Sequence, residues 1–168
     1  YLGRQLADCR DSRRGAGAGD AFGAQMVTIA SMLDDTTIGR LAAYVSAMPE
    51  VQVSTSIGGD GKAGQATYTT CAACHGVNGE GSVSLGAPRL AGMTDSYLAR
   101  QFAAYASGTR GSAAGDDRGA AMRGITAGVK GDKAVRDVIS YAVSLPGPAT
   151  MSATACADQP AGTCGSSR

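Results

Sequence analysis

The chain has 168 residues, enough for one ordinary domain or two very small ones, and its 43% hydrophobic and 17% charged residues exclude a disordered chain. No apolar run is long enough to cross a bilayer, so no transmembrane segment is predicted. The net charge of +1, without aromatic residues interleaved in a basic run, predicts no nucleic-acid partner.

Residues 1–49 are predicted to hold two helices separated by a long loop, because they repeat a later part of the chain. At an offset of 96 positions the identical pairs are Tyr1 and Tyr97, Leu2 and Leu98, Arg4 and Arg100, Gln5 and Gln101, Arg14 and Arg110, Gly15 and Gly111, Asp20 and Asp116, and Met26 and Met122. After one inserted residue, the pairs are Asp35 and Asp132, Tyr44 and Tyr141, and Pro49 and Pro146. Residues 1–49 therefore correspond to the rear half of the domain that follows.

Residues 50–57 are predicted to be a linker, and residues 58–146 a complete small domain. Its first predicted helix spans residues 60–70, with Asp60 as the cap, and a glycine-rich loop over residues 76–92 follows. The second helix begins near Thr94 and has an apolar stripe formed by Tyr97, Leu98, Gln101, Phe102 and Tyr105.

A long loop rich in glycine and alanine is predicted over residues 107–131. The last helix begins at Asp132, presents Val135, Val138, Ile139 and Ala142 on one face, and ends at Leu145 and Pro146. This order predicts an all-α fold with about three main helices and long glycine-rich loops.

Residues 147–168 are predicted to form a flexible tail, because they are rich in small residues and proline. Cys156 and Cys164 are close enough in sequence to form a small disulfide loop, which would fit an oxidising compartment, or they are two free thiols.

The most informative segment is Cys71-Ala72-Ala73-Cys74-His75, which has the spacing of a c-type haem attachment site. Residues three apart lie on one helix face, so both sulfurs can reach the vinyl groups of one porphyrin. His75 follows at once and is the only histidine in the chain. The absence of Trp and the presence of only two Phe also favour a core that a buried cofactor helps to fill.

Two other readings of the cysteine pair compete with haem. A thioredoxin-like dithiol would lie beside a βαβ pattern, which the surrounding residues do not show. A zinc site could combine Cys71 and Cys74 with Cys156 and Cys164, but it would leave the adjacent His75 unexplained.

A haem with two axial ligands needs a second ligand, and methionine sulfur is the ligand available once His75 is used. Met122 is favoured, because it lies 47 residues after His75 in the predicted loop and has a repeat counterpart in Met26. Met93 directly precedes a helix and is expected to pack, and Met32, Met48 and Met151 are expected to be ordinary core or surface residues. Met26 lies where a ligand of a first haem would be needed.

Pro88 and four basic residues are weaker candidates. The Pro88 carbonyl is a candidate acceptor for the second ring N–H of a metal-bound His75, although proline is more often only a turn residue. The basic residues are either solvated charges or surround the haem edge, where they would steer an acidic partner or pair with the haem propionates; they are Arg89, Arg118, Arg123 and Lys130.

The missing front half of the first repeat has three explanations. Two helices in 49 residues cannot bury both apolar faces by themselves. The chain is preceded by further residues of a two-haem protein, or a neighbouring chain completes residues 1–49, or these residues pack on the second domain without haem.

The chain resembles the class I c-type cytochromes, and most closely the bacterial periplasmic cytochromes built from two similar haem domains. The matching residues are Cys71 to Gly76, Asn78-Gly79-Glu80-Gly81, Ala87 to Gly92, Tyr97-Leu98, Arg100-Gln101-Phe102, Gly108-Thr109-Arg110 and Met122. The resemblance covers residues 58–146 completely and residues 1–49 as the rear half of a preceding domain.

The resemblance implies haem c attached at Cys71 and Cys74, with His75 and Met122 as axial ligands and Pro88 as the acceptor for His75. Met26 would be a ligand of a second haem if the first domain is completed. The expected function is electron transfer in a periplasmic or otherwise extracytoplasmic compartment, with a dehydrogenase, an oxidase or another cytochrome as partner, and not catalysis. The alternatives are a haem enzyme with an open sixth site and an assembly role for the half-domain.

Overall fold

The structure is a computed structural model that describes residues 1–49 and 56–147. These residues form helices without a β-strand, which confirms the predicted all-α fold. The seven helices are α1 (Leu2–Arg10), α2 (Ala21–Ala30), α3 (Asp35–Ser46), α4 (Gly61–His75), α5 (Asp95–Ser107), α6 (Asp117–Thr126) and α7 (Asp132–Ser144).

The sequence repeat is matched by a repeat of helices, since α1, α2 and α3 follow the same order as α5, α6 and α7. The capping of α2 and α6 illustrates the match. The Asp20 carboxylate accepts a hydrogen bond from the backbone N–H of Gly23 at 2.8 Å, and the Asp116 carboxylate accepts one from Gly119 at 2.9 Å. Equivalent residues therefore begin equivalent helices.

The predicted loop over residues 107–131 is wrong in its central part, because α6 occupies Asp117–Thr126. Residues 1–49 likewise contain three helices and not two, since α2 is the counterpart of α6. The physical reason is the Asp116 cap, which satisfies an N–H at the start of α6 although Gly119 and Gly124 weaken the helical pattern. Met122 consequently lies on a helix and not in a loop.

The core of the second repeat lies between α4 and α7. Its buried cluster consists of Tyr68, Val138, Ile139 and Ala142. Gly64 permits the close approach of the two helices, because a Cβ atom at this position would lie 2.1 Å from the Asp137 carbonyl oxygen. The core thus fixes α4, the helix that ends in the cysteine motif.

The first repeat has no counterpart of α4 among the described residues, and one face of α3 is left uncovered. Leu41 and Val45 are 38% and 47% exposed, whereas their counterparts on α7, Val138 and Ala142, are each 4% exposed. Tyr44 is exposed as well. This face of α3 therefore has apolar side chains like those of the core, but they are exposed to solvent.

The two repeats meet through a polar network of nearly twofold symmetry. Arg14 donates to the side-chain oxygen of Gln5 at 2.6 Å and to that of Gln101 at 3.3 Å. Arg110 donates to the same two glutamines, and also to the Tyr1 hydroxyl at 3.3 Å. Because Arg14 and Arg110, and Gln5 and Gln101, are pairs of the sequence repeat, each half of the network reproduces the other.

Within residues 1–49 and 56–147, no helix is both long enough and apolar enough to span a membrane. Most of the predicted linker and nearly all of the predicted tail, including Cys156 and Cys164, lie outside the described residues.

Candidate functional site

The cysteine motif forms the last turn of α4. The helix was predicted to end near residue 70, but it continues through Cys71 and Cys74 to His75. Asp60 caps its beginning by accepting a hydrogen bond from the Ala63 N–H at 3.2 Å. Gly76 ends it with φ +81°, a conformation that favours glycine. All three motif side chains therefore project from one rigid element.

The two thiols are free and are separated by about one helical turn, so they lie on one side of α4. Cys71 is partly buried and Cys74 is exposed. Burial raises the pKa of the Cys71 thiol above its ordinary value. This thiol is therefore protonated at neutral pH and lacks the thiolate character of a reactive redox dithiol.

His75 is buried, with 5% of its surface exposed, and is oriented by the backbone of Pro88. Its Nδ1 lies 2.7 Å from the Pro88 carbonyl oxygen, so Nδ1 carries the proton and donates it. Burial lowers the pKa of His75, and the hydrogen bond to Pro88 opposes this effect only in part. The imidazole is therefore neutral, with the lone pair on Nε2, which is the form that binds a metal.

The loop after α4 places the Pro88 carbonyl by several backbone hydrogen bonds. The Gly81 N–H donates to the His75 carbonyl at 2.8 Å, and Ser82 and Ala87 form an antiparallel bridge. Gly81 has φ +83°, and a Cβ atom there would lie 2.8 Å from the Pro88 carbonyl carbon. Glycine at this position therefore lets the returning chain approach His75.

Tyr68 fixes the end of α4 from the core side. Its hydroxyl donates to the Gly76 carbonyl at 2.9 Å, and its ring packs against Tyr141 with the ring centroids 5.3 Å apart. Burial raises the pKa of Tyr68 to about 12, so the hydroxyl keeps its proton at neutral pH. The Tyr68 hydroxyl therefore remains a hydrogen-bond donor to the end of α4 at neutral pH.

A second attachment joins the beginning of α4 to α7. The Asp137 carboxylate accepts hydrogen bonds from Lys133 at 2.6 Å and from the Asp60 N–H at 2.8 Å. The Lys133 ammonium and the Asp60 N–H hold the pKa of Asp137 below its ordinary value. The carboxylate is therefore charged at neutral pH.

The predicted methionine ligands lie on other helices. Met122 is partly buried on α6, and Met26 is 36% exposed at the equivalent place on α2. The structure thus brings His75 and Pro88 together directly and carries both cysteines of the motif on the same helix, whereas the two methionines lie on α6 and α2.

The basic residues differ in their surroundings. Arg89 donates to the Ala91 carbonyl at 2.7 Å and Arg118 to the Leu85 carbonyl at 3.3 Å, so neither is only a solvated charge. Arg123 and Lys130 are exposed.

The donor set fits haem c better than the two alternatives. In the described part of the chain the motif is surrounded by helices, not by the βαβ unit of a thioredoxin-like dithiol. No group of three His, Cys, Asp or Glu side chains that could hold a metal ion occurs among those residues, and the cysteines needed for the zinc alternative lie outside them. Two free thiols beside an oriented neutral imidazole are the groups that thioether attachment and axial ligation require.

The arginines and glutamines between the repeats were not predicted as functional or interface residues. Their signal was present in the repeat, because Gln5 and Arg14 have identical residues 96 positions later. Conserved polar identity between two copies, away from the cysteine motif, could have indicated an interface.

Comparison with known proteins gives matches over most of the chain. The family described as Cytochrome c matches residues 61–146. The chain is 28% identical to cytochrome c4 of Azotobacter vinelandii over 86% of its own length and 72% of that protein. It is 48% identical, over 44 residues, to the thiosulfate dehydrogenase electron acceptor of Thiomonas intermedia, covering 26% of this chain and 20% of that protein.

A solved structure extends the similarity to the fold. Cytochrome c4 of Acidithiobacillus ferrooxidans superposes with a TM-score of 0.69 and 29% identity, over 86% of this chain and 84% of its own. The chain thus spans most of the cytochrome c4 proteins but only a fifth of the thiosulfate dehydrogenase electron acceptor.

Proposed function

Because the chain belongs to the cytochrome c family, we propose that Cys71 and Cys74 form the thioether bonds to haem c and that His75 is the proximal ligand. The hydrogen bond from His75 Nδ1 to the Pro88 carbonyl, 2.7 Å long, is the observation that carries this assignment. It fixes the tautomer and the ring orientation, and it increases the basicity of Nε2.

The function is haem-mediated electron transfer, as in the related cytochromes c. When bound, haem c supplies a one-electron couple, and the protein supplies its ligands and a low-dielectric surrounding. Here α4 holds the anchoring thiols, the Pro88 carbonyl orients His75, and the core between α4 and α7 excludes water from the base of the site.

We infer that Met122 is the distal ligand. Its support is its partial burial on α6 and its match to Met26 in the repeat. A methionine sulfur opposite a histidine raises the reduction potential of haem. If His75 and Met122 both bind the iron, the site would have no open position for a substrate, which favours a carrier over a haem enzyme.

The test is to replace Met122 by Ala in the haem-bearing protein. Met122→Ala should retain covalently attached haem, lower its reduction potential and allow carbon monoxide to bind the reduced form. Met93→Ala is the matched control, because Met93 is also partly buried and lies just before α5. If the two variants have the wild-type spectrum and potential, Met122 is not a ligand. Binding of carbon monoxide by the wild-type protein would instead favour a haem enzyme with an open sixth site.

We further propose that residues 1–49 form the rear half of a second haem domain, in which Met26 is the distal ligand. The exposed apolar face of α3 supports this, because the equivalent face of α7 is buried against α4. The missing helix would be supplied by preceding residues of a longer chain or by a neighbouring chain. Sedimentation velocity across a dilution series tests the second source: association of the 168-residue chain supports a neighbouring chain, and a constant monomer excludes it.

The redox partner and the compartment are also proposals. The similarity to the electron acceptor of a thiosulfate dehydrogenase, over 44 residues, supports a dehydrogenase or another redox protein as partner. An extracytoplasmic, periplasmic location accords with thioether attachment of haem at Cys71 and Cys74. Measured electron-transfer rates with candidate dehydrogenases, as a function of ionic strength, would identify a partner that docks through charge.

A further inference from the structure

Two arginine side chains donate hydrogen bonds to the turn that precedes Pro88. Arg4 Nη2 donates to the Gly86 carbonyl at 2.5 Å, and Arg118 Nε donates to the Leu85 carbonyl at 3.3 Å. Gly86 has φ +65°, and a Cβ atom there would lie 2.3 Å from Arg4 Nη1 and 2.5 Å from Arg118 Nε. Both guanidinium groups therefore pack directly on the glycine backbone. These two arginines and Gly86 are called the arginine clamp below.

The clamp lies two residues from the carbonyl that orients His75. Ser82 and Ala87 exchange backbone hydrogen bonds of 2.9 Å in both directions, so the turn between them is a closed unit. Pro88 follows directly, with its φ fixed by the ring, and accepts from His75 Nδ1. A displacement of Gly86 is therefore transmitted to the Pro88 carbonyl through a short and stiff piece of backbone.

The two arms of the clamp come from different repeats. Arg118 belongs to α6 in the same repeat as His75, whereas Arg4 belongs to α1 and is 82 residues from Gly86 in sequence. Arg4 thus crosses between the repeats to reach the turn, and it is half-buried there. Through this hydrogen bond the first repeat contacts the surroundings of His75.

The sequence repeat places the counterparts of these two arginines next to each other as well. Arg4 and Arg118 correspond, 96 positions apart, to Arg100 and Phe22. Arg100 lies over the Phe22 ring, 5.3 Å from its centroid. The side chains of α1 and α6 therefore meet at one place, and the equivalent side chains of α5 and α2 meet at the other. Among the described residues, only the first place has a backbone turn, the one at Gly86, between the two side chains.

We propose that the arginine clamp positions the proximal histidine, so that Arg4 of the first repeat sets the strength of the His75 hydrogen bond in the second. The inference rests on the proposed ligation of haem by His75. Arg4 and Arg118 are positioning residues, since they act on His75 through Gly86 and Pro88. By holding the acceptor at 2.7 Å, the clamp keeps the imidazole strongly donating, which lowers the reduction potential relative to a loose loop.

The test compares Arg4→Met, which removes the donor and the charge, with Arg4→Lys, which keeps a positive charge and an N–H donor group. Arg40→Met is the matched control for loss of a charge, because Arg40 is exposed on α3. Two quantities are measured in the haem-bearing protein at high ionic strength, where long-range charge effects are screened. These are the hydrogen-exchange rate of the His75 Nδ1 proton, by NMR of the reduced form, and the reduction potential.

Arg4→Met should exchange the Nδ1 proton about tenfold faster than wild type, the effect expected for loss of one hydrogen bond to a charged donor. Its potential should also be higher than that of wild type. Arg4→Lys and Arg40→Met should stay close to wild type in exchange rate. Arg118→Met should change both quantities in the same direction but less, because its hydrogen bond is longer and exposed.

Equal exchange rates and potentials in Arg4→Met and Arg40→Met would overturn the proposal. If Arg4→Met does not accumulate as folded protein, Arg118→Met decides by the same two readouts, and no change there overturns the clamp. Failure of the proposed function is seen separately, in the wild type. In that case the wild-type chain would carry no covalent haem, or the His75 ring protons would lack the large upfield shifts caused by a porphyrin above them.

Discussion

Gly64 lies where the backbone of α4 meets the backbone of α7, and replacing it by Ala should force these helices apart. A Cβ atom at Gly64 would lie 2.1 Å from the Asp137 carbonyl oxygen and 2.8 Å from the Val138 nitrogen. An ordinary contact needs at least 3.4 Å. Backbone atoms cannot rotate away as a side chain can, so the whole helix pair must separate.

The magnitude follows from two opposing effects. Overpacking a well-packed site typically costs about 1–3 kcal/mol, and we take about 3 because the obstructing atoms are backbone. Alanine is better than glycine inside a helix by about 1 kcal/mol, which offsets part of that cost. Gly64→Ala should therefore lower the free energy of unfolding by about 2 kcal/mol.

Gly124 provides the matched control, because it also lies inside a helix but has no atom within 4 Å of its Cβ position. Gly124→Ala should raise the free energy of unfolding by about 0.5–1 kcal/mol, from helix propensity alone. The assay is guanidinium chloride unfolding of the haem-bearing protein, followed by far-UV circular dichroism and analysed with the denaturant slope left free. Equal stabilities for the two variants would refute the close packing of α4 on α7.

Two further predictions concern a buried carboxylate and the interface between the repeats. Burial of Asp95 tends to raise its pKa, but hydrogen bonds from the Ser56, Ile57 and Ser96 N–H groups outweigh this and hold the pKa below its ordinary value. The stabilisation is therefore complete above the unfolded pKa and is lost as the pH falls through the folded pKa. Between pH 5 and pH 3, in the region of the ordinary Asp pKa of about 3.9, the wild type should lose more stability than Asp95→Asn. A wild-type pH profile in Asp95→Asn would contradict this account. In the interface, a double-mutant cycle of Arg110→Ala and Gln5→Ala should give a coupling energy of about 1–2 kcal/mol, whereas additivity within about 0.5 kcal/mol would show that the pair does not interact.

The sequence was most informative where one short motif determines both the helix and its chemistry. The cysteine and histidine spacing predicted attachment at Cys71 and Cys74, and the structure places His75 directly after them on α4, hydrogen-bonded to the predicted acceptor Pro88. The family and the haem cofactor inferred from this motif are confirmed by the cytochrome c match over residues 61–146. The roles of the individual ligands remain predictions.

Helix α6 was missed because its local signals conflict. Gly119 and Gly124 lower helix propensity, and the four residues between them (two alanines, a methionine and an arginine) give little periodicity. The helix forms because Asp116 caps it and because Gly119 packs closely, with the Gly111 Cβ position 2.3 Å from the Gly119 carbonyl oxygen. This close packing involves a residue eight positions earlier in the chain, so the helical periodicity of the sequence does not indicate it.

The interface could not be predicted from single residues, because its partners are far apart in sequence. Arg4 and Gly86 are 82 residues apart, and Arg110 and Gln5 are 105 apart. The sequence assigned no role to Arg4 or Arg14, whereas in the structure Arg4 donates to a backbone carbonyl and Arg14 to a glutamine side chain. Repeat identity between the two copies was the one signal in the sequence that pointed to this surface.

The central claim is that one haem c is attached to this chain at Cys71 and Cys74. The most direct measurement is a pyridine haemochrome spectrum against quantified polypeptide, on the 168-residue chain made with a cytochrome c maturation system. The account predicts one c-type haem per chain, which remains with the protein after acid–acetone extraction and is lost in the Cys71→Ala, Cys74→Ala double variant. A wild-type chain without covalent haem, or a double variant that still retains it, would contradict the account.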